Sequence, residues 1–278
     1  MLSIYQAVYE RFAHITIVLF EFALIFYIVE VKMSLKDREN IILEYLHQNR
    51  EASVDELCAK FFVSKPTIRR DLKALAEAGK IIRTHGGAFL SSFPGESVPQ
   101  ELREKEYIEE KDVIAKKCLD LIHDGDSVMI DASSTCLQLI KLLSAKKAIV
   151  LITSSTKAPF ISVKTGVKTF VTGGEVSKTS FSYIGSVAEE TLRKFNADIC
   201  FFSVCSLSPD GLLTNNSTSE NQLGRVMLEK SKKSVLLLNS QKIGEPKLNT
   251  LCSLKDVDFV ISEKDISDKF PEYKEKFI

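Results

Sequence analysis

The chain has 278 residues, 45% of them hydrophobic, and 37 basic side chains balance 37 acidic ones. That length allows one small and one medium domain with real cores, and a neutral total excludes a general electrostatic coat for nucleic acid, so any DNA binding must come from a local basic patch. Six cysteines with no CxxC pair and no histidine cluster read as scattered small hydrophobes of a reducing cytosol, and no disulfide framework, metal or cofactor is expected.

Residues 1–32 do not fit the rest. Ile15 to Val31 is nearly continuous aliphatic and aromatic sequence broken by Glu21 and Glu30, which is marginal for a membrane span. A Glu near its middle is costly in a bilayer, no cationic n-region precedes it, and no small-residue cleavage site follows. Met33-Ser34-Leu35-Lys36 would make an ordinary start for a cytoplasmic protein. The expectation is therefore a start-codon extension, with a single-span tether or an extra apolar helix as the alternatives.

Residues 34–90 read as a DNA-binding unit. Arg38 to Gln48, with Ile42, Leu43 and Leu46, gives a first supporting helix. Ser53-Val54-Asp55-Glu56 is a capping box, and Val54, Leu57, Cys58 and Phe61 follow at helical spacing. After Phe62-Val63 comes Ser64, an expected N-cap whose hydroxyl can accept from a backbone N–H one turn in, with Pro66 tolerated early in the helix. Ile68, Leu72 and Leu75 form an apolar stripe, while Arg69, Arg70 and Lys73 lie on another face. Gly79 is the expected left-handed cap, and Ile81–Thr84 and His85–Leu90 read as two short strands joined at a glycine turn. Two short helices with a tight connection, followed by a hairpin, make a winged helix-turn-helix.

Residues 91–105 read as a linker, since Ser91 to Val98 and Pro99 are rich in Ser, Pro and Gly. Glu101 to Lys117 is charged and helical in pattern, a solvated helix with one buried edge. From Ser127 onward, Ser127–Asp131, Ala148–Thr153, Lys168–Val171, Asp198–Val204, Ser234–Leu238 and Val257–Ser262 are short apolar runs separated by amphipathic helical patterns, Glu220 to Lys230 among them. Continuous apolar strands alternating with helices argue for a mainly parallel α/β domain over 106–278, with ligands at the carboxyl ends of its strands. Those ends carry Asp131-Ala132-Ser133-Ser134-Thr135, Thr153-Ser154-Ser155-Thr156, Thr172-Gly173-Gly174 and Asn239-Ser240-Gln241-Lys242. Hydroxyls, small residues and N–H groups at a helix start make an anion cradle, and a lysine adds positive charge.

Arg38, Ile42, Leu46, Ser64, Thr67-Ile68-Arg69-Arg70-Asp71-Leu72 and the His85-Gly86-Gly87 wing stand in the order and spacing of the DeoR-type bacterial transcriptional regulators, which the chain resembles from about Ser34 to its C-terminus. The resemblance implies that the helix from Ser64 enters the major groove of operator DNA, that Thr67 and the arginines reach phosphates and base edges, and that Lys65, Lys73 and Arg83 add charge. It also implies an effector domain related to ribose-5-phosphate isomerase. A phosphorylated sugar would be the effector, with Ser133, Ser134 and Thr135 at its phosphate and Asp131, Thr153, Ser154, Gly173, Gly174 and Lys242 around the rest. A repressor of a sugar uptake or catabolism operon, working as a dimer or tetramer, is the function so implied. The chain departs from the family where Asp-x-Gly-Thr-Thr becomes Asp131 to Thr135 with two serines, where Thr-Asn-Ser becomes Thr153-Ser154-Ser155, where Asn239 replaces an Asp, and where Val204 to Ser208 replaces a Gly-x-x-Gly stretch. The rival reading is a sugar-phosphate isomerase, for which Asp131, Asp210 and Glu220 are the candidate bases. Asp210-Gly211 fits a turn better, Glu220 fits a helix start, and no catalysis is expected.

Overall fold

A computed structural model describes residues 35–90 and 98–278; the readings of residues 1–32 concern residues outside that set. Among the described residues no helix is long and apolar enough to cross a membrane. The chain divides into two compact units, one ending at Pro94 and the other beginning at Gly95.

The first unit runs α1 (Leu35–Asn49), β1 (Glu51–Ser53), α2 (Val54–Phe61), α3 (Lys65–Glu77), β2 (Ile81–Arg83) and β3 (Gly87–Leu90). The capping box forms as the sequence predicts: Ser53 Oγ accepts the Glu56 N–H at 3.0 Å and the Glu56 carboxylate accepts the Ser53 N–H at 3.3 Å. Phe62, left-handed at φ 52°, ends α2, so Phe62, Val63 and Ser64 alone separate it from α3. Ser64 is the N-cap of α3 by backbone geometry, but its hydroxyl meets Thr67 Oγ1 at 2.9 Å and caps no N–H. Pro66 removes one of the two N–H groups such a cap would reach, and the Thr67 hydroxyl competes with the other. At the far end Gly79, at φ 69°, follows the cap residue Ala78; its N–H bonds Ala76 O at 2.9 Å while the Lys80 N–H bonds Leu75 O at 3.0 Å, a paired C-terminal closure that needs a left-handed residue there.

The wing has one strand more than the sequence suggested, because β1 pairs antiparallel with β3 and gives the order β1-β3-β2. A Cβ on Gly87 would lie 2.1 Å from Ala52 O, so the close approach of β1 requires glycine there. Ile42, Leu46, Leu57, Ile68, Leu72, Leu75 and Ile81 form the core. Into it Arg38 of α1 sends a two-pronged ion pair to the fully buried Asp71 of α3, with Nη2 2.8 Å from Oδ1 and Nε bonded to Oδ2.

The second unit begins with α4 (Gln100–Lys105) and α5 (Ile108–Leu119). The single helix expected over Glu101–Lys117 is thus broken at Glu106-Tyr107, where Tyr107 is left-handed, and the last six residues of the expected linker are helical. Lys111 explains the break: its ammonium donates to Arg103 O and to Glu106 O, the latter at 2.6 Å, and so satisfies carbonyls that end α4. There follow β4 (Ser127–Ile130), α6 (Ser134–Leu142), β5 (Val150–Thr153), α7 (Ala158–Thr165), β6 (Lys168–Val171), the hairpin β7 (Glu175–Val176) and β8 (Tyr183–Ile184), α8 (Ser186–Arg193) and β9 (Ile199–Phe202). The chain continues through β10 (Ser206–Leu207), β11 (Leu212–Asn215), α9 (Thr218–Glu229), β12 (Ser234–Leu237), β13 (Asn249–Ser253) and β14 (Phe259–Ile261).

Each of the six apolar runs supplies one strand of a parallel sheet ordered β14-β12-β9-β4-β5-β6. Side chains alternate between its faces as the strand period demands. Val128, Ile130, Ile199 and Phe201 pack with Ile114, Cys118 and Ile140 of α5 and α6. Met129, Cys200 and Phe202 pack with Ala188, Leu192, Leu223 and Val226 of α8 and α9. No local pattern announced the small antiparallel sheet β10-β11-β13. At the amino ends of the strands the register is fixed twice by the same device. The Asp198 carboxylate accepts the N–H and hydroxyl of Ser127 at 2.9 and 2.7 Å, and that of Asp258 accepts the N–H and hydroxyl of Ser234, both at 2.8 Å.

Asp71→Ala leaves Arg38 buried without its partner, and we expect a loss of about 3 to 5 kcal/mol in the first unit, read as a lower urea midpoint by circular dichroism. The double variant Arg38→Met, Asp71→Leu, which removes both charges, should recover most of that loss.

Candidate nucleic-acid interface and ligand site

Helix α3 buries Ile68, Asp71, Leu72 and Leu75 and exposes Lys65, Arg69, Arg70 and Lys73. The Arg38–Asp71 pair fixes which way that cationic face turns, since Asp71 follows Arg70 directly. Lys65 lies 2.7 Å from Asp55 and Lys73 3.7 Å from Glu77, both pairs solvent-exposed and weak. The side chains of Arg69, Arg70 and Arg83 form no ion pair or hydrogen bond with another described residue. Thr67 is half-buried, and Ser64, His85 and Gly86 are exposed. Gly87, grouped with them by the sequence, is buried against β1 and serves the wing's packing; the Gly86 carbonyl accepts the Val54 N–H at 2.7 Å and closes the hairpin onto α2.

The carboxyl ends of the parallel strands bring the second group of predicted residues into a row. Asp131 after β4 accepts the Ser133 N–H on one oxygen and the Ser203 N–H on the other, both at 2.8 Å. Its carboxylate therefore holds two loops in place. Ser133 Oγ accepts the Cys136 N–H at 3.2 Å and caps α6, leaving the N–H groups of Ser134 and Thr135 at the open end of that helix. Lys242 donates to Ser203 Oγ at 2.8 Å, and Ser203 in turn donates to Leu237 O at 2.7 Å. Thr153 Oγ1 accepts the Ser155 N–H at 3.1 Å, and the Ser154 carbonyl accepts from Tyr183 at 2.7 Å.

With neighbouring strands about 4.8 Å apart, the row from β12 to β6 is about 19 Å long, more than one sugar phosphate covers. Asp131, Ser133 and Lys242 share one bonded network, with Thr153 and Ser154 on the adjacent strand end. Gly173 and Gly174 stand a strand further out. A Cβ on Gly174 would lie 2.8 Å from Ile184 O, so that glycine serves the close approach of β8.

Three side chains missed by the sequence reading complete the region: Arg103, Lys111 and Ser203. Burial pushes the Lys111 ammonium down to about 8, with the charge of Lys242 next in effect and Glu106 opposing. Burial likewise lowers Lys242, and Arg103 adds to that while Cys205 and Asp131 oppose it. Lys111, Lys242 and Arg103 thus act on one another, with Glu106 and Glu104 opposing at Lys111 and Asp131 opposing at Lys242. Lys111 falls on the stripe of Ile114, Ala115 and Cys118, and a lysine on an apolar stripe was the signal available.

Among the described residues, buried side-chain atoms without a hydrogen-bond partner belong to Gln100, Thr135, Thr172, Asn239 and Ser240. Thr135, Thr172, Asn239 and Ser240 all follow the carboxyl ends of parallel strands, where an unpaired polar atom calls for a partner. A separate groove of about 750 Å³ lies between α4, α5 and α6, but Glu101, Glu104 and Asp112 line it beside Lys105 and Lys141, which suits an anion poorly. The three candidate bases are dispersed: Asp210 accepts from the Ser208 hydroxyl in an exposed turn, and Glu220 lies in the first turn of α9.

The chain matches the family model described as the DeoR-like helix-turn-helix domain over residues 38–92 and that of the DeoR C terminal sensor domain over 106–264. It is 32% identical to the HTH-type transcriptional regulator GolR of Listeria innocua, over 83% of this chain and 91% of the relative. It is 31% identical to the transcriptional repressor GlcR of Bacillus subtilis, over 82% and 88%, and 30% identical to the L-fucose operon activator of Haemophilus influenzae, over 86% and 96%. A solved ribose 5-phosphate isomerase from Methanocaldococcus jannaschii aligns over 48% of this chain and 53% of its own at 15% identity, with a TM-score of 0.37, too loose a likeness to carry an inference.

Lys111 has a measurable consequence. Its ammonium titrates near 8 in the folded protein against 10.5 when unperturbed, so between those values the unfolded chain holds more protons and stability rises with pH. Below pH 8 both states are charged and the penalty is constant. From pH 7.5 to 10.5, wild type should gain up to about 3 kcal/mol relative to Lys111→Met, measured by urea unfolding at each pH.

Proposed function

Because the chain belongs to the DeoR family of DNA-binding transcriptional regulators, we propose that it represses a sugar uptake or catabolism operon in the cytoplasm and releases its operator when a phosphorylated sugar binds the second unit. Residues 34–90 read the DNA and residues 106–278 carry the effector site, with the helix Gln100–Lys105 counted to the latter. Helix α3 enters the major groove. Arg69 and Arg70, exposed and uncommitted, reach base edges, where an arginine can grip guanine with two hydrogen bonds. Ser64, Lys65, Thr67, Lys73, Arg83 and the wing at His85-Gly86 fix position on phosphates. Two copies or four supply the paired helices that paired half-sites need.

The observation that carries the effector reading is the Lys242–Ser203–Asp131 network beside the open N-terminus of α6. A phosphate there meets the N–H groups of Ser134 and Thr135 and the ammonium of Lys242, and the Thr135 hydroxyl gains a partner. Thr153 and Ser154 flank the sugar. Release requires that the ligand bind the arrangement unable to hold DNA better than the other, since equal affinity shifts nothing.

Fluorescence anisotropy of Met33–Ile278 on DNA from upstream of its own operon, titrated with sugar phosphates, tests both halves. Salt-dependent binding reversed by one compound is expected; no binding to any such DNA would sink the reading. Arg69→Ala and Arg70→Ala should each weaken operator binding by about 1 to 3 kcal/mol where the lost contact is a bidentate base contact. Lys73→Ala should lower the slope of log affinity on log salt by about one unit and leave sequence preference unchanged. Ser134→Asp places a carboxylate at the phosphate position and should give operator binding that no sugar phosphate reverses.

A further inference from the structure

Gln100 is the first residue of α4 and is 0% exposed, yet neither its Oε1 nor its Nε2 has a hydrogen-bond partner. An amide so placed loses its hydration with nothing in return, and its main chain cannot simply withdraw it, because the Gln100 N–H is tied to Thr179 O at 2.9 Å beside the hairpin. Two further ties hold α4: Glu104 to Lys157 at 2.6 Å, just beyond the β5 end, and Lys111 to the carbonyls of Arg103 and Glu106. Gln100 and Arg103 are three residues apart and share one helix face. The hairpin that holds the Gln100 N–H is itself bonded to the β5 end, the Tyr183 N–H donating to Ser154 O at 2.7 Å, so the start of α4 lies beside the carboxyl ends of the parallel strands.

From this geometry we infer that Gln100 is a ligand-contacting residue, which recognises the hydroxyl groups of the phosphorylated sugar whose phosphate sits at the start of α6; the inference rests on the effector reading above. A carboxamide offers one acceptor and two N–H donors. Neighbouring hydroxyls, each able to donate and to accept, match that set, whereas a bare phosphate, with acceptors alone at most of its oxygens, does not. The amide therefore separates sugar phosphates by their hydroxyl pattern, while Lys242 and the α6 N–H groups take any phosphate.

Gln100→Met keeps the length of the side chain and removes its polar end. The full chain and this variant are compared by thermal unfolding without ligand, and by calorimetric titration with inorganic phosphate, ribose 5-phosphate, glucose 6-phosphate, fructose 1-phosphate and glycerol 3-phosphate. The expected result is a ligand-free Tm unchanged or raised, inorganic phosphate bound equally by both proteins, and the sugar phosphate that wild type prefers bound at least about tenfold more weakly by the variant. A ligand-free Tm lowered by more than about 4 °C would make Gln100 a residue of the fold and overturn the inference. Equal affinity of both proteins for the preferred sugar phosphate would overturn it while leaving the effector reading intact. Wild type that binds none of the five would remove the effector reading, and the inference with it.

Discussion

The inner strands of the parallel sheet, β12, β9, β4 and β5, are covered on both faces, and that burial dictates where chemistry can stand. A polar side chain within such a strand would meet no water and few partners, so hydroxyls, amides and charges collect at the strand ends. The two ends then differ. At the amino ends the polar groups close on one another, Asp198 on Ser127 and Asp258 on Ser234. At the carboxyl ends Thr135, Thr172, Asn239 and Ser240 keep buried polar atoms unpartnered. One end of the sheet closes on itself, and the other keeps buried polar atoms that no described residue satisfies.

Charge points the same way. Around the carboxyl ends Lys242, Lys111 and Arg103 act on one another, and the nearby carboxylate of Asp131 already accepts two backbone N–H groups. Like charges in a partly buried space raise one another's cost, so an anion placed among them relieves two ammonium groups at once.

Much of this was legible in the sequence, because its signals were local or strongly periodic. The six buried strands appeared as apolar runs, the capping box at Ser53 named its own residues, and the basic face of α3 followed from helical spacing. What escaped depended on distant partners or on a polar residue in an apolar place. β1 is three residues long and exists by pairing with β3, 34 to 38 residues along the chain; no local pattern announces it. Asp71 and Lys111 each sit on an apolar helical stripe beside buried aliphatics. Such a residue is a request for a buried partner, which turned out to be Arg38 for the first and the carbonyls of Arg103 and Glu106 for the second.

The energetics of release narrow where the decisive contacts can be. Reversing operator occupancy from 99:1 to 1:99 takes a ligand preference of about 5.5 kcal/mol between the two arrangements. A hydrogen bond to a charged group contributes about 1.5 to 3 kcal/mol, so two or three contacts present in one arrangement and absent from the other are enough. The loops at β4 and β9 cannot supply that difference easily, since Asp131 clamps both through their own backbone. Helix α4 is tied at Thr179, at Lys157 and through Lys111, and it carries a buried amide whose two polar atoms have no hydrogen-bond partner. Contacts that stay the same on release contribute affinity without response.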